Sequence, residues 1–188
     1  KGSKIIKRKK FPRSDVHQII LKNGAKILLK QTDFKKDEIN LSAFSSGGYS
    51  TASFEKLDSA KYTEDILGSA DIGVLTVLEK ANLYSQDAID VIPYISEESE
   101  GVNGYSNNKN LETMFKLLYL NFTDLRINQN EVDRFKKVKI NDYKIDKQSP
   151  KHQYHLEFRN KAYQDHPRVQ YATDKNFEQI NLTEVQNF

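Results

Sequence analysis

The chain has 188 residues with 37% hydrophobic and 29% charged side chains, enough for one domain of ordinary size with a very polar surface. Its 29 basic and 26 acidic residues nearly balance at a net charge of +3, and no basic stripe with an aromatic or helical reader accompanies them, so nucleic acid is not expected as a partner. Cysteine is absent, which excludes disulfides, thiolate nucleophiles and Cys-ligated zinc, and no apolar run approaches the roughly 18 residues of a membrane span.

Residues 1–15 read as a polar lead-in or linker, with the basic run Lys7 to Lys10 as its solvated part. Val16 to Leu21 is strand-like and closes on Asn23-Gly24, the strongest short hairpin signal, before a return strand from Lys26 to Lys30. A polar turn leads into Glu38 to Phe44, which alternates with period two and stops at Ser45-Ser46-Gly47-Gly48. These three strands are expected in one antiparallel sheet. A helix over 54–67 follows, with Phe54, Leu57, Tyr62 and Ile66 on one broad face, then a short helix over 74–80. Strands fit 88–96 and 99–106, and Pro93 places the first at an edge or bulge. The clearest helix begins near Asn110: Leu111, Met114, Phe115, Leu118, Tyr119 and Phe122 recur at helical spacing and are expected as core. Helices over about 129–145 and 151–163 come next, and a last one opens at Thr183. Strands followed by helices predict an α+β fold, an antiparallel sheet with helices packed on one face.

Several segments, in order, carry a resemblance. Leu21 to Lys30 resembles the opening hairpin of pitrilysin/insulinase repeats. Lys30 to Ile39, Ala43 to Gly48, Pro93 to Glu97, Glu100-Gly101, Leu111 to Leu120, Asp165 to Arg168 and Leu182 to Val185 continue it along the chain. The resemblance is to the third, non-catalytic repeat, from the C-terminal half of a large bacterial zinc peptidase of that family. It implies a metallohydrolase-like α+β repeat over 16–188, incomplete at its C-terminal end. It also implies zinc in another repeat of the parent protein, other repeats of the same polypeptide as partners, and a peptide substrate in the full-length protein. A bacterial periplasmic or envelope location is expected, which the lack of cysteine suits, with the cytoplasm left open.

The family's chemistry rests on His-x-x-Glu-His on a helix: two His one turn apart bind zinc while the Glu activates a bound water. Matched at Ala60, that motif would put Lys61 and Asp65 where the His belong and Glu64 where the base belongs. An ammonium repels a dication, so no zinc, cofactor or catalytic residue is expected in this chain. The residues themselves offer one weak alternative metal pair, His152 and His155, against solvent exposure near a helix start. His166 reads as local packing before Pro167, and Glu97-Glu98-Ser99-Glu100 as a solvated strand end. Three function classes remain: a silent scaffold and chamber repeat of a zinc endopeptidase, a stand-alone module that captures extended peptides on a sheet edge, and a metal-dependent enzyme using His152 and His155. Loss of the family's next strand would leave an uncovered edge, so self-association is also expected.

Overall fold

A computed structural model describes residues 2–188. The chain divides into two units, one ending at Glu38 and the other running from Ile39 to Phe188.

The first unit is a three-stranded antiparallel meander of β1 (Ile5–Phe11), β2 (Val16–Leu21) and β3 (Lys26–Lys30). Gly24, at φ 90°, makes the expected turn: its N–H bonds the Leu21 carbonyl at 3.0 Å while the Asn23 side chain accepts from Ala25 N–H at 3.3 Å. The basic run is a strand and not a solvated tail. Arg8 pairs with Ile19, Lys9 with Gln18 and Lys10 with His17, so the boundary expected between residues 15 and 16 runs between two paired strands. Its sequence hides it because none of the unit's described residues is buried. With no face to bury there is no alternation to read, and backbone pairing plus lysine stems laid on apolar neighbours is enough; Lys9 Nζ sits 4.4 Å from the Phe11 ring centre. Lys10 also pairs with Asp15 at 2.8 Å.

The second unit is α+β, as expected. Its main sheet has the order β4-β7-β6, made of β4 (Ile39–Ser46), β6 (Asp90–Ile95) and β7 (Ser99–Ser106), all antiparallel. Strand 39–46 therefore does not join the sheet of 16–21 and 26–30. It matches β7 residue for residue, Leu41 against Gly104 and Ala43 against Val102, which turns its apolar face to a core that the first unit's strands cannot offer. β6 is an edge, as Pro93 predicted. The small pair β5 (Asp71–Ile72) and β8 (Leu125–Arg126) was not foreseen.

Helices are α1 (Leu57–Leu67), α2 (Val77–Asp87), α3 (Leu111–Thr123), α4 (Gln129–Asp146), α5 (Pro150–Ala162), α6 (Asp174–Gln179) and α7 (Leu182–Asn187). The predicted second helix starts later than 74 because Thr76 caps it, exchanging hydrogen bonds with Glu79 in a capping box. Two cores result. One joins the sheet to α3 through Val91, Val102, Met114 and Leu117; the other joins α1, α4, α6 and α7 through Ile66, Val132, Phe177, Ile180 and Val185. The α3 face differs from expectation. Met114 and Leu117 are buried, whereas Phe115, Tyr119 and Phe122 are exposed and are not core. The helix is apolar around most of its girth, so spacing alone could not choose between two usable stripes.

Candidate functional site

α1 buries Ser59, Ala60, Thr63 and Ile66. Lys61, Glu64 and Asp65 therefore lie beside the buried stripe, and the structure fixes each of them differently. Glu64 Oε2 accepts the Ile95 backbone N–H at 2.8 Å, so this carboxylate closes part of the free edge of β6. Asp65 is exposed. Lys61 is half-buried, and burial first, then the positive charge of Arg159, hold its ammonium below the ordinary lysine range against the pull of Asp58 and Glu97. Asp58 itself accepts from Asn176 at 3.0 Å. Burial also pushes the neighbouring Tyr62 phenol up to about 12, with Asp58 and Asp65 adding to the shift.

These groups do not fit zinc. A zinc site needs neutral or anionic donors converging on one point, and here Lys61 brings an ammonium while the carboxylate of Glu64 is spent on backbone. Among the described residues, no group of three or more His, Cys, Asp or Glu side chains is placed to hold a metal ion.

The alternative pair on α5 fares no better. His152 lies against two phenol rings, 6.0 Å from Tyr143 and 5.6 Å from Tyr171 between ring centres, and its Nε2 is buried without a partner. His155 packs on Tyr154 at 5.5 Å. Both imidazoles have aromatic neighbours, and among the described residues neither belongs to a group of three or more metal-ligating side chains; His152 is half-buried rather than solvent-facing. His166 packs edge-on against Phe54 at 6.3 Å, in keeping with local packing.

Three polar residues have roles that the sequence did not reveal. Arg168 donates to the Ala52 carbonyl at 2.7 Å and to that of Tyr49 at 3.3 Å while its guanidinium covers Phe54, tying the segment before α1 to the turn after α5. Glu100, read as part of a solvated cluster, accepts from Ser45 Oγ at 2.5 Å and from Gly48 N–H, and these bonds hold its carboxyl below the ordinary range. Gly48 is obligatory there: its φ is +64°, and a Cβ would fall 2.3 Å from the Ser96 carbonyl oxygen. Arg159 lies over Tyr171 at 4.7 Å with its Nε buried and unpartnered. The motif segment Asp165 to Arg168 pointed towards the first of these; nothing in the spacing of residues 159 and 171 pointed to the last.

A helix-flanked antiparallel sheet makes the second unit an α+β domain. The comparisons agree on the fold. No family model matches the chain. A probable zinc protease, PqqL of Haemophilus influenzae, is 20% identical over 133 residues, covering 71% of this chain and 14% of the relative. The crystal structure of the periplasmic protease PqqL from Escherichia coli superposes with a TM-score of 0.83 at 14% identity, over 98% of this chain and 20% of that one. An inactive domain of a peptidase M16 from Pseudomonas fluorescens superposes at 0.74 with 18% identity, over 92% of this chain and 42% of that one. The chain has the fold of a peptidase M16 domain, and the pitrilysin-type resemblance read from its sequence is borne out. It spans only a small part of the length of these relatives.

Proposed function

We propose that this chain is a non-catalytic repeat, structural and chamber-lining, of a larger bacterial zinc metalloendopeptidase whose zinc sits in another repeat. The observation that carries the reading is the state of α1: a lysine, Lys61, stands half-buried and Glu64 is held by Ile95 N–H, where a working repeat needs two ligands and a free base. The partners are then other repeats of the same polypeptide and its peptide substrates. The periplasm is the compartment this reading favours, by analogy with the Escherichia coli relative. Among the described residues no helix is long and apolar enough to cross a membrane.

The purified chain should bind no stoichiometric zinc in calorimetric titration and cleave no peptide. In the parent enzyme, Glu64→Gln should leave peptidase activity unchanged. Tight zinc binding lost on His152→Ala or His155→Ala would overturn the reading, and so would loss of activity in Glu64→Gln with the fold intact.

One observation favours a second reading, a stand-alone module that captures extended peptides. β4 is an eight-residue edge strand without proline or charge, Ile-Asn-Leu-Ser-Ala-Phe-Ser-Ser, the kind of edge that pairs with other chains. Slowed amide exchange along residues 39–46 on adding an extended apolar peptide would support this module. Unchanged exchange would leave the scaffold reading alone.

A further inference from the structure

We propose that one face of the first unit's sheet docks on the uncovered face of the β4-β7-β6 sheet of a second copy of this chain. Charge is divided between the two units: residues 1–38 hold 12 basic and 4 acidic side chains, and residues 39–188 hold 17 and 22. The division is sharper in the sheets. β1, β2 and β3 carry Lys7, Arg8, Lys9, Lys10, Lys26 and Lys30 and no acid, whereas β4, β6 and β7 carry Asp90 and Glu100 and no lysine or arginine. One chain thus holds two sheets of opposite sign.

The strand register assigns the faces. In the first unit Arg8 pairs with Ile19 and Ile19 with Ile27, while Lys10 pairs with His17 and His17 with Leu29. These six residues share one side of the pleat, with cations along β1 and apolar residues along β3. Ile27 and Leu29 are exposed there, beside a concavity of about 440 Å³ that Arg8, Lys10, His17, Ile19 and Leu29 line. Leu28 pairs with Gln18 and lies on the other side. In the second unit Phe44 pairs with Gly101 and Gly101 with Tyr94, and Ile92 and Asp90 follow on the same side of β6. This side is opposite to the one that Val91, Val102 and Met114 seal. Phe44 is 77% exposed on it and Ile92 51%. Gly101 keeps it flat: a Cβ there would fall 2.8 Å from Tyr94 Oη, so the tyrosine lies across the glycine.

Sheet faces with apolar residues pack layer on layer, and opposite charge selects which faces meet. A face six residues long and three strands wide spans roughly 20 by 14 Å, on the order of 300 Å². One such contact is too small to hold two chains. Twofold symmetry repeats it, first unit on second unit in both directions, and the total buried surface reaches about 1,200 Å², the lower end of specific interfaces. An anionic membrane is the poorer match, because it would cover the basic sheet and leave the face of Phe44 and Ile92 bare.

The test is sedimentation equilibrium of the full chain at low and high sodium chloride, with zero-length carbodiimide cross-linking of a mixture of light and heavy nitrogen-labelled copies. A dimer is expected at low salt, weakened about tenfold or more at high salt, with cross-links from Lys10 to Asp90 that join light copies to heavy ones. Leu29→Lys and Phe44→Lys should each weaken the dimer about tenfold. Leu28→Lys, on the opposite side of the same strand as Leu29, should leave it unchanged. The proposal is overturned if the chain is a monomer at every concentration, or if cross-links join only residues of one copy. It is overturned as well if Leu28→Lys and Leu29→Lys act alike in folded variants; should a variant not fold, the cross-links of the unmutated chain decide. A monomer that co-sediments with phosphatidylglycerol vesicles would overturn it in favour of a membrane surface.

Discussion

Met114 and Phe115 are neighbours on α3 and have opposite fates: Met114 is 1% exposed and Phe115 is 49% exposed. Both belong to stripes that helical spacing permits. The sheet makes the choice. Gly104 of β7, lacking a side chain, lets the helix approach until a Cβ there would stand 3.3 Å from Met114 Sδ and 3.4 Å from Leu41 Cβ. The stripe of Met114 and Leu117 therefore seals against Val91 and Val102, and the stripe of Phe115, Tyr119 and Phe122 points away from that core. Helical periodicity identifies an apolar face; the partner surface decides whether it is the buried one.

The sharpest way to break this contrast is Met114→Ala. Removing a fully buried side chain from a core held by a glycine contact should cost about 2–5 kcal/mol, measured by urea unfolding. A loss below about 1 kcal/mol would mean that Met114 does not seal the helix to the sheet. Gly104→Ala tests the other side of the same contact. The added methyl meets Met114 Sδ, Leu41 Cβ and, at 3.5 Å, the Asp90 carbonyl, so overpacking of roughly 1–3 kcal/mol is expected. No change in stability would show that the close approach is not what selects the face.

Tyr84 of α2 packs against the same core and reports on its integrity through pH. Burial pushes its phenol up to about 12, aided by Asp90, although its O–H donates to the Val91 carbonyl at 3.1 Å. The folded pKa lies above the unfolded value of about 10, so the unfolded chain loses its proton first. The contribution is fully present below pH 10 and is lost as pH rises from about 10 towards 12. In Tyr84→Phe that part of the alkaline decline should disappear. An unchanged decline would place Tyr84 in water and loosen the sheet-side core.

Legibility from sequence followed burial on one face. β2 and β3 were readable to the residue because Asn23-Gly24 fixes their turn, and β6, expected over 88–96 and observed at Asp90–Ile95, was readable as an edge strand through Pro93. β1 was not readable, since its charges fall on both sides of a strand with no buried face. α6 and α7 have six residues each, too few for a helical period to emerge, and of the two only the start of α7 was legible. The pairing of β4 with β7 is a contact between residues about sixty apart, and local pattern carries no information about it. At the candidate site the residue types at 61, 64 and 65 already spoke against zinc. The fate of Glu64 did not show: that it would bond the Ile95 N–H depends on α1 meeting a strand far along the chain.

The smallest expected effect lies on the outward stripe. Phe115→Ala should cost less than about 1 kcal/mol, because a half-exposed ring at a solvent face leaves no cavity when it is cut back. Phe122, 72% exposed, should tolerate lysine with a change within about 0.5 kcal/mol. A Phe115→Ala loss of 3 kcal/mol or more would mean that the ring is core and the contrast with Met114 is false. If both substitutions are silent in this chain yet destabilise the parent polypeptide, the exposed aromatics are covered there by a neighbouring repeat. Exposed apolar patches of this kind commonly mark such contacts. Thermal unfolding of the same two variants in the isolated chain and in the parent separates the outcomes, since a surface residue with no partner would be silent in both.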